Sequence, residues 1–345
     1  MNKNKINAID LFAGCGGLSE GLRAAGFNVV AAVEADKTAA AAYRLNHKET
    51  ILYEKDIRKL RTSTIESLLN NEPLHIVAGC PPCQGFSSIR KLNKKQAVRD
   101  KRNSLIGEYY RFIEKLQPLT IMLENVPGLV DYTLFKRVVT KFKKLGYFID
   151  YKVVDVAKYG VPQRRKRLVL IGSTLGQIEV AEATNNIKTV RDAIGNMESV
   201  ETTGDSLHKI YPKHSEKILN RISLIEKDGG SLRQLPQEYQ LSCHKNDNVG
   251  FNDVYGRLSW DKVSSTITGG CLNPSKGRFL HPEENRCITA REAAILQSFP
   301  RGYNFPINIP KIKLALLIGN ALPPRFSYIQ SKNIAAHLNQ FGYIS

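Results

Sequence analysis

The stretch INAIDLFAGCGGLSEGLRAAGFNVVAAVE, residues 6–34, decides the fold. Its apolar run INAIDLF (6–12) breaks at Gly14, Gly16 and Gly17. A helix signal, SEGLRAAG, follows and stops at Gly26; a β-rich run, NVVAAVE, comes next. Strand, glycine turn, helix, strand is the opening of a parallel α/β sheet. Glycines allow a ligand close to the backbone, and the helix N-terminus offers free N–H groups. In such a sheet nucleotides bind at this turn. The spacing is not GxGxxG, and a plain tight turn is the competing reading of these residues alone.

The alternation continues outward. TAAAAYRLN (38–46) reads as helix, LHIVAG (74–79) as a buried strand and SLIGEYYRFIEKLQP (104–118) as a helix stopped by Pro118. TIMLEN (120–125) is a strand, LFKRVVTKFKKLG (134–146) a basic amphipathic helix and RLVLIGS (167–173) the last strand. After residue 173 the pattern turns polar and irregular. One helix is expected over 215–227, with Ile218, Leu219, Ile222 and Ile225 on its apolar face. Helical pattern returns at TAREAAILQSF (289–299) and on either side of Pro323-Pro324. The expected class is α/β: a Rossmann-like domain with a mostly parallel sheet, plus a smaller irregular domain.

The 345 residues fit two domains, and 42% hydrophobic residues suffice for packed cores. The formal net charge of +18 points to a polyanionic partner, since Lys and Arg set against phosphates release counterions. A Lys- and Asn-rich genome is the bland alternative. The six cysteines, Cys15, Cys80, Cys83, Cys243, Cys271 and Cys287, are too irregular for a secreted disulfide framework. Neither a signal-peptide h-region nor a membrane-length apolar run is present. A soluble, cytoplasmic protein with reduced thiols is expected.

Chemistry gathers at the expected strand ends. Glu34 ends the second strand, where a carboxylate can accept both hydroxyls of a ribose, and Asp56 follows the third. Each alone could be an ordinary surface acid. GCPPCQGFS (79–87) follows the buried strand LHIVAG. Its C-x-x-C admits a redox dithiol or a zinc half-site, but no second C-x-x-C completes a metal set. Pro81 and Pro82 would hold Cys83 rigidly at the strand tip. Arg90, Lys91, Lys94, Lys95, Arg99, Lys101 and Arg102 would favour its thiolate. Glu124 stands at the tip of a neighbouring strand, and Arg165 and Arg167 alternate into another. A redox dithiol needs neither the acid nor the arginines.

In this order the motifs resemble those of the DNA cytosine-5 methyltransferases, along nearly the whole chain outside residues 174–255. DLFAGCGGLSEGL (10–22) is similar to the family's cofactor motif, GCPPCQGFS to its nucleophile motif, ENVPG (124–128) to its acid motif and QRRKR (163–167) to its arginine motif. RCITAREAAILQSFP (286–300) and GNALPPRF (319–326) resemble its last two motifs; Leu322 stands where many members have Val. The resemblance implies Cys83, Glu124, Arg165 and Arg167 as catalytic residues. It implies S-adenosylmethionine, and no metal, as cofactor, held by Phe12, Gly14, Gly16, Gly17, Glu34, Asp56, Pro82, Leu105, Asn320 and Ala321. It also implies double-stranded DNA as substrate, a base flipped out of the stack, and a basic loop over 85–103 closing on it. A catalytic domain is expected over 1–173 and 310–345, a target-recognition domain over 174–285 and a hinge over 286–309. Action as a monomer is expected, without a membrane and without stable binding to any cognate restriction endonuclease. A tRNA cytosine-5 methyltransferase is the alternative within the same family.

Overall fold

The computed structural model describes residues 6–82, 105–236, 238–240 and 253–343. Cys83, Cys243 and the loop expected over 85–103 lie outside the described residues. Two compact units are present: 1–159, 166–184 and 322–345 form the first, 160–165 and 185–321 the second.

The first unit is built on a seven-stranded sheet: β1 (Ile6–Leu11), β2 (Phe27–Glu34), β3 (Ile51–Glu54), β4 (Leu74–Gly79), β5 (Thr120–Asn125), β6 (Phe148–Asp155) and β7 (Lys166–Ser173). Their order is β3-β2-β1-β4-β5-β7-β6. Strands β1 to β5 pair in parallel, and β7 runs antiparallel to both its neighbours. The mostly parallel sheet read from the sequence is therefore present. Every residue of β1, β4 and β5 is buried, as befits strands covered on both faces.

Helices α1 (Gly17–Ala24), α2 (Lys37–Asn46), α3 (Thr62–Glu66), α4 (Leu105–Leu116) and α5 (Thr133–Lys144) connect the strands. The apolar faces of α4 and α5 set Tyr109, Phe112, Phe135 and Phe142 against Val77, Ile121 and Leu123 of the sheet. A long C-terminal helix, here α10 (Pro324–Gln340), returns to this unit, so the unit is discontinuous in sequence. It meets α1 so closely that a Cβ on Gly21 would stand 2.3 Å from the Ser327 Cβ. Ser327 Oγ donates to the Leu18 carbonyl at 2.8 Å across the same contact.

The sequence reading contained no β6. FIDYKVVD lies at the sheet edge and leaves most of its residues partly or fully exposed, so it carries no apolar run to read.

The second unit holds α6 (Val190–Ile194), α7 (Glu216–Ser223), α8 (Ala290–Leu296) and α9 (Lys311–Asn320). Among its described residues, β pairing is confined to isolated bridges. The helix expected over 215–227 is shorter; Ile222 and Ile225 are buried as expected, but Leu219 is exposed. The compact units also divide the chain differently from the expected domains. Residues 286–321 cluster with 185–285 because α8 and α9 are bonded together: Gln297 Nε2 donates to the Ile318 and Ala321 carbonyls at 2.8 and 3.0 Å. Residues 174–184 rejoin the first unit, where Thr174 N–H donates to Leu119 O and Val180 N–H to the Asp150 carboxylate.

Candidate active site

The carboxyl ends of β1, β2, β4 and β5 lie along one edge of the first unit's sheet, and most of the expected site residues follow them. After β1 the chain turns through Phe12 (φ 64°), Gly14 (φ 57°) and Gly16 (φ 96°) into α1. These left-handed torsions favour glycine at 14 and 16 and are strained at Phe12. A Cβ on Gly14 would meet nothing within 4 Å, so the backbone there borders open space. The Phe12 ring is partly exposed.

Glu34, at the end of β2, braces this turn. Its Oε2 accepts from Gly14 N–H at 2.8 Å and its Oε1 from Asp36 N–H at 2.7 Å. Burial pushes its carboxyl above the ordinary range, against the pull of those N–H donors. A carboxylate has about four lone-pair positions, so both oxygens keep acceptor capacity for a diol. Asp56 is placed differently. It caps a short turn and is gripped by Arg58, with Nε on Oδ1 at 2.9 Å and Nη2 on Oδ2 at 2.5 Å. The Arg58 hydrogen bond holds its carboxyl below the usual range.

Beneath the turn lies an acid that the sequence reading did not single out. Asp10 is fully buried on β1; its Oδ2 accepts from Ser19 Oγ at 2.6 Å, and its Oδ1 has no partner among the described residues. Burial pushes its carboxyl up to about 7; the Ser19 bond opposes the shift and the Glu34 charge adds to it. An unfolded aspartate releases its proton near about 4. Folding therefore loses about 1.4 kcal/mol per pH unit through this group as pH rises from about 4 to about 7. Asp10→Asn escapes the loss. Its stability relative to wild type should be flat below that window, rise through it and level off above. Urea melts at several pH values read this directly, and a gap of constant size would refute it.

At the centre, β4 and β5 pair in parallel with Gly79 opposite Leu123. The next level sets Cys80 beside Glu124, and the one after sets Pro81 beside Asn125. Asn125 Nδ2 donates to Pro81 O at 2.7 Å, while its Oδ1 accepts from Val126 N–H at 2.8 Å. Asn125 thus clamps the Pro81–Pro82 step that leads to Cys83, a role no sequence signal announced.

Glu124 is 8% exposed, and Arg167 Nε meets its Oε1 at 2.7 Å. Cys80 is partly exposed, and its thiol hydrogen-bonds the Glu124 carboxylate. Burial first, then the nearby Glu124 charge, pushes that thiol well above the usual range. Cys80 is therefore a protonated donor at neutral pH, which removes the redox-dithiol reading of C-x-x-C. Among the described residues no cluster of side chains could hold a metal ion, and no helix is long and apolar enough to cross a membrane.

Not every expected residue joins this group. Pro82 is partly exposed at the end of the described β4 segment, and Leu105 is buried at the start of α4. Arg165 belongs to the second unit and is 4% exposed. Its Nη1 donates to the carbonyls of Ile267 at 2.9 Å and Gly319 at 2.8 Å. Asn320 and Ala321 end α9 in the same unit, the first exposed and the second buried.

A family model described as C-5 cytosine-specific DNA methylase matches residues 6–336. The chain is 36% identical to the Type II methylase M.HgiDII of Herpetosiphon aurantiacus, over 96% of this chain and 95% of that protein. It is 32% identical to the Type II methyltransferase M1.BsuMI of Bacillus subtilis, over 95% of this chain and 80% of that protein. Among solved structures it is similar to a prophage-encoded Escherichia coli protein described as a candidate DNA modification methyltransferase, with TM-score 0.74 and 26% identity over 97% and 100% of the two chains. The Dnmt2 methyltransferase of Schizosaccharomyces pombe shares the fold at TM-score 0.67 and 17% identity, over 98% and 99%.

Proposed function

Because the chain belongs to the C-5 cytosine-specific DNA methylase family, we propose that it methylates carbon 5 of a flipped-out cytosine in a specific duplex sequence. The observation that carries this reading is the Glu124–Arg167 pair at the end of β5, one level from the proline step before Cys83.

Cytosine C5 is a poor nucleophile until a soft thiolate adds at C6. Cys83 supplies that thiolate. Glu124 engages N3 and the exocyclic amine, drawing charge off the ring as C5 becomes nucleophilic. Arg167 fixes the carboxyl and offsets charge developing on O2, a duty shared with Arg165. The observed bonds of Arg165 add a second duty, holding the backbone at Ile267 and Gly319. C5 takes up the methyl group, and loss of its proton expels Cys83.

S-adenosylmethionine, when bound, supplies an electrophilic methyl group carried on a sulfonium. The first unit fits it: open space at Gly14, a partly exposed Phe12 ring for an adenine, and a Glu34 carboxylate for ribose hydroxyls. Asp56 would turn from Arg58 to an adenine amino group, while Gly16, Gly17, Pro82, Leu105, Asn320 and Ala321 would complete the wall. Residues 174–285 would read the DNA sequence. Loop 85–103 would close over the flipped base.

We place the enzyme in the bacterial cytoplasm, acting as a monomer at nucleoid DNA as the modification half of a restriction–modification system. Radiolabelled methyl transfer to duplex DNA and to tRNA, followed by bisulfite sequencing, tests the reading. Labelled DNA with 5-methylcytosine at one recurring sequence is expected. Label in tRNA alone would replace it with the tRNA reading, and label in neither would end both.

A further inference from the structure

We propose that Cys80 is a positioning residue for methyl transfer: its thiol donates to the Glu124 carboxylate and holds that group against Arg167. The proposal rests on the function assigned above and concerns how its acid is oriented.

The placement follows from the sheet. Gly79 pairs with Leu123, so Cys80 and Glu124 stand side by side at the next level of a parallel ladder. Cys80 N–H donates to the Leu11 carbonyl at 3.2 Å, which extends the strand pairing one residue beyond β4 and fixes the Cys80 backbone. Arg167 Nε occupies Glu124 Oε1 at 2.7 Å. A carboxylate held at one point still rotates about its last torsion. The thiol supplies a second point of attachment, and the buried carboxylate supplies the acceptor. Glu124 must face the edge of a base that arrives transiently, and a fixed carboxyl avoids reordering at that moment.

The contact also separates the two cysteines of the motif. A thiol kept protonated by burial and by a neighbouring carboxylate makes a poor nucleophile and a serviceable donor. Any residue filling this space without a donor would leave Glu124 held by Arg167 alone.

Two measurements test the proposal. The first is infrared spectroscopy of the S–H stretch, in a region free of other protein bands. The Cys80 band, isolated by subtracting the Cys80→Ala spectrum, should be displaced toward the hydrogen-bonded position and should move back in Glu124→Ala. A band at the free-thiol position in wild type overturns the contact. The second is steady-state kinetics, beginning with wild-type methyl transfer to DNA. If that is absent, the functional reading fails and the positioning role with it, while the infrared band still decides the contact. If it is present, Cys80→Ala should lower kcat about fivefold, the worth of one ordinary hydrogen bond. KM for DNA should stay unchanged, and Cys80→Ser should restore kcat. Equal kcat for wild type and Cys80→Ala overturns the role, as does a Cys80→Ser variant no better than alanine.

Discussion

Cys83→Ser is expected to abolish methyl transfer, whereas Cys80→Ser keeps most of it. The two cysteines share one short motif, so the contrast isolates position from chemistry. At Cys83 the chemistry requires an anion that adds to C6. A serine hydroxyl ionises far outside the working range and is a harder, weaker nucleophile for that carbon. No other group is placed to replace it: the Cys80 thiol is held protonated beside Glu124. At Cys80 the requirement is a donor toward a carboxylate, and a hydroxyl meets it. A redox or metal role for the pair predicts equal loss from both variants. Methyl transfer to duplex DNA under single-turnover conditions, with circular dichroism to confirm folding, decides between these outcomes. A Cys83→Ser enzyme retaining a tenth of its activity would contradict the nucleophile assignment.

The sequence announced this site unevenly, for physical reasons. The first unit was legible because its central strands are buried on both faces and therefore read as apolar runs. The turn at 12–17 was legible because its torsions favour glycine, and glycine is visible in sequence. Strand β6 was not, because an edge strand is under no comparable demand for apolar residues. Arg165 and Arg167 were read as one face by the period of two. That rule holds only inside a strand, and β7 begins at Lys166. Arg167 therefore reaches Glu124 within the first unit, while Arg165 is bonded to two carbonyls of the second. Asp10, Asn125 and the Cys80–Glu124 contact were invisible because each depends on register between strands distant in sequence. The irregular second unit hid most of all, since its interior is organised by polar side chains.

Arg257 is the clearest of these, and its removal is expected to cost about 5 kcal/mol, nearly the whole stability of a small domain. In the sequence it is one more cation of a region expected to read DNA. In the structure it is 1% exposed. Its Nε donates to Ile225 O at 3.1 Å and its Nη2 to Ile222 O at 3.0 Å and Asn285 Oδ1 at 2.5 Å. Its Nη1 donates to the carbonyls of His281 at 3.0 Å and Glu284 at 2.7 Å. Four of these five acceptors are backbone carbonyls, and two lie at the C-terminal end of α7, where the helix dipole favours a cation. The guanidinium thus ties α7 to the 281–285 turn while its own charge is satisfied without a carboxylate. Arg257→Met fills the volume but strands the acceptors, and each buried unpaired carbonyl costs about 1–3 kcal/mol before water enters. Arg257→Lys keeps the charge but offers three donors from one point, so it should recover only a minor part. Arg191 is the control: its pair with Asp261 is exposed, at 54% and 73% of the two side chains, and losing it should cost under about 1 kcal/mol. Urea denaturation of the three variants reads the comparison. Arg257→Met as stable as Arg191→Met would show that the carbonyls around Arg257 are satisfied without it.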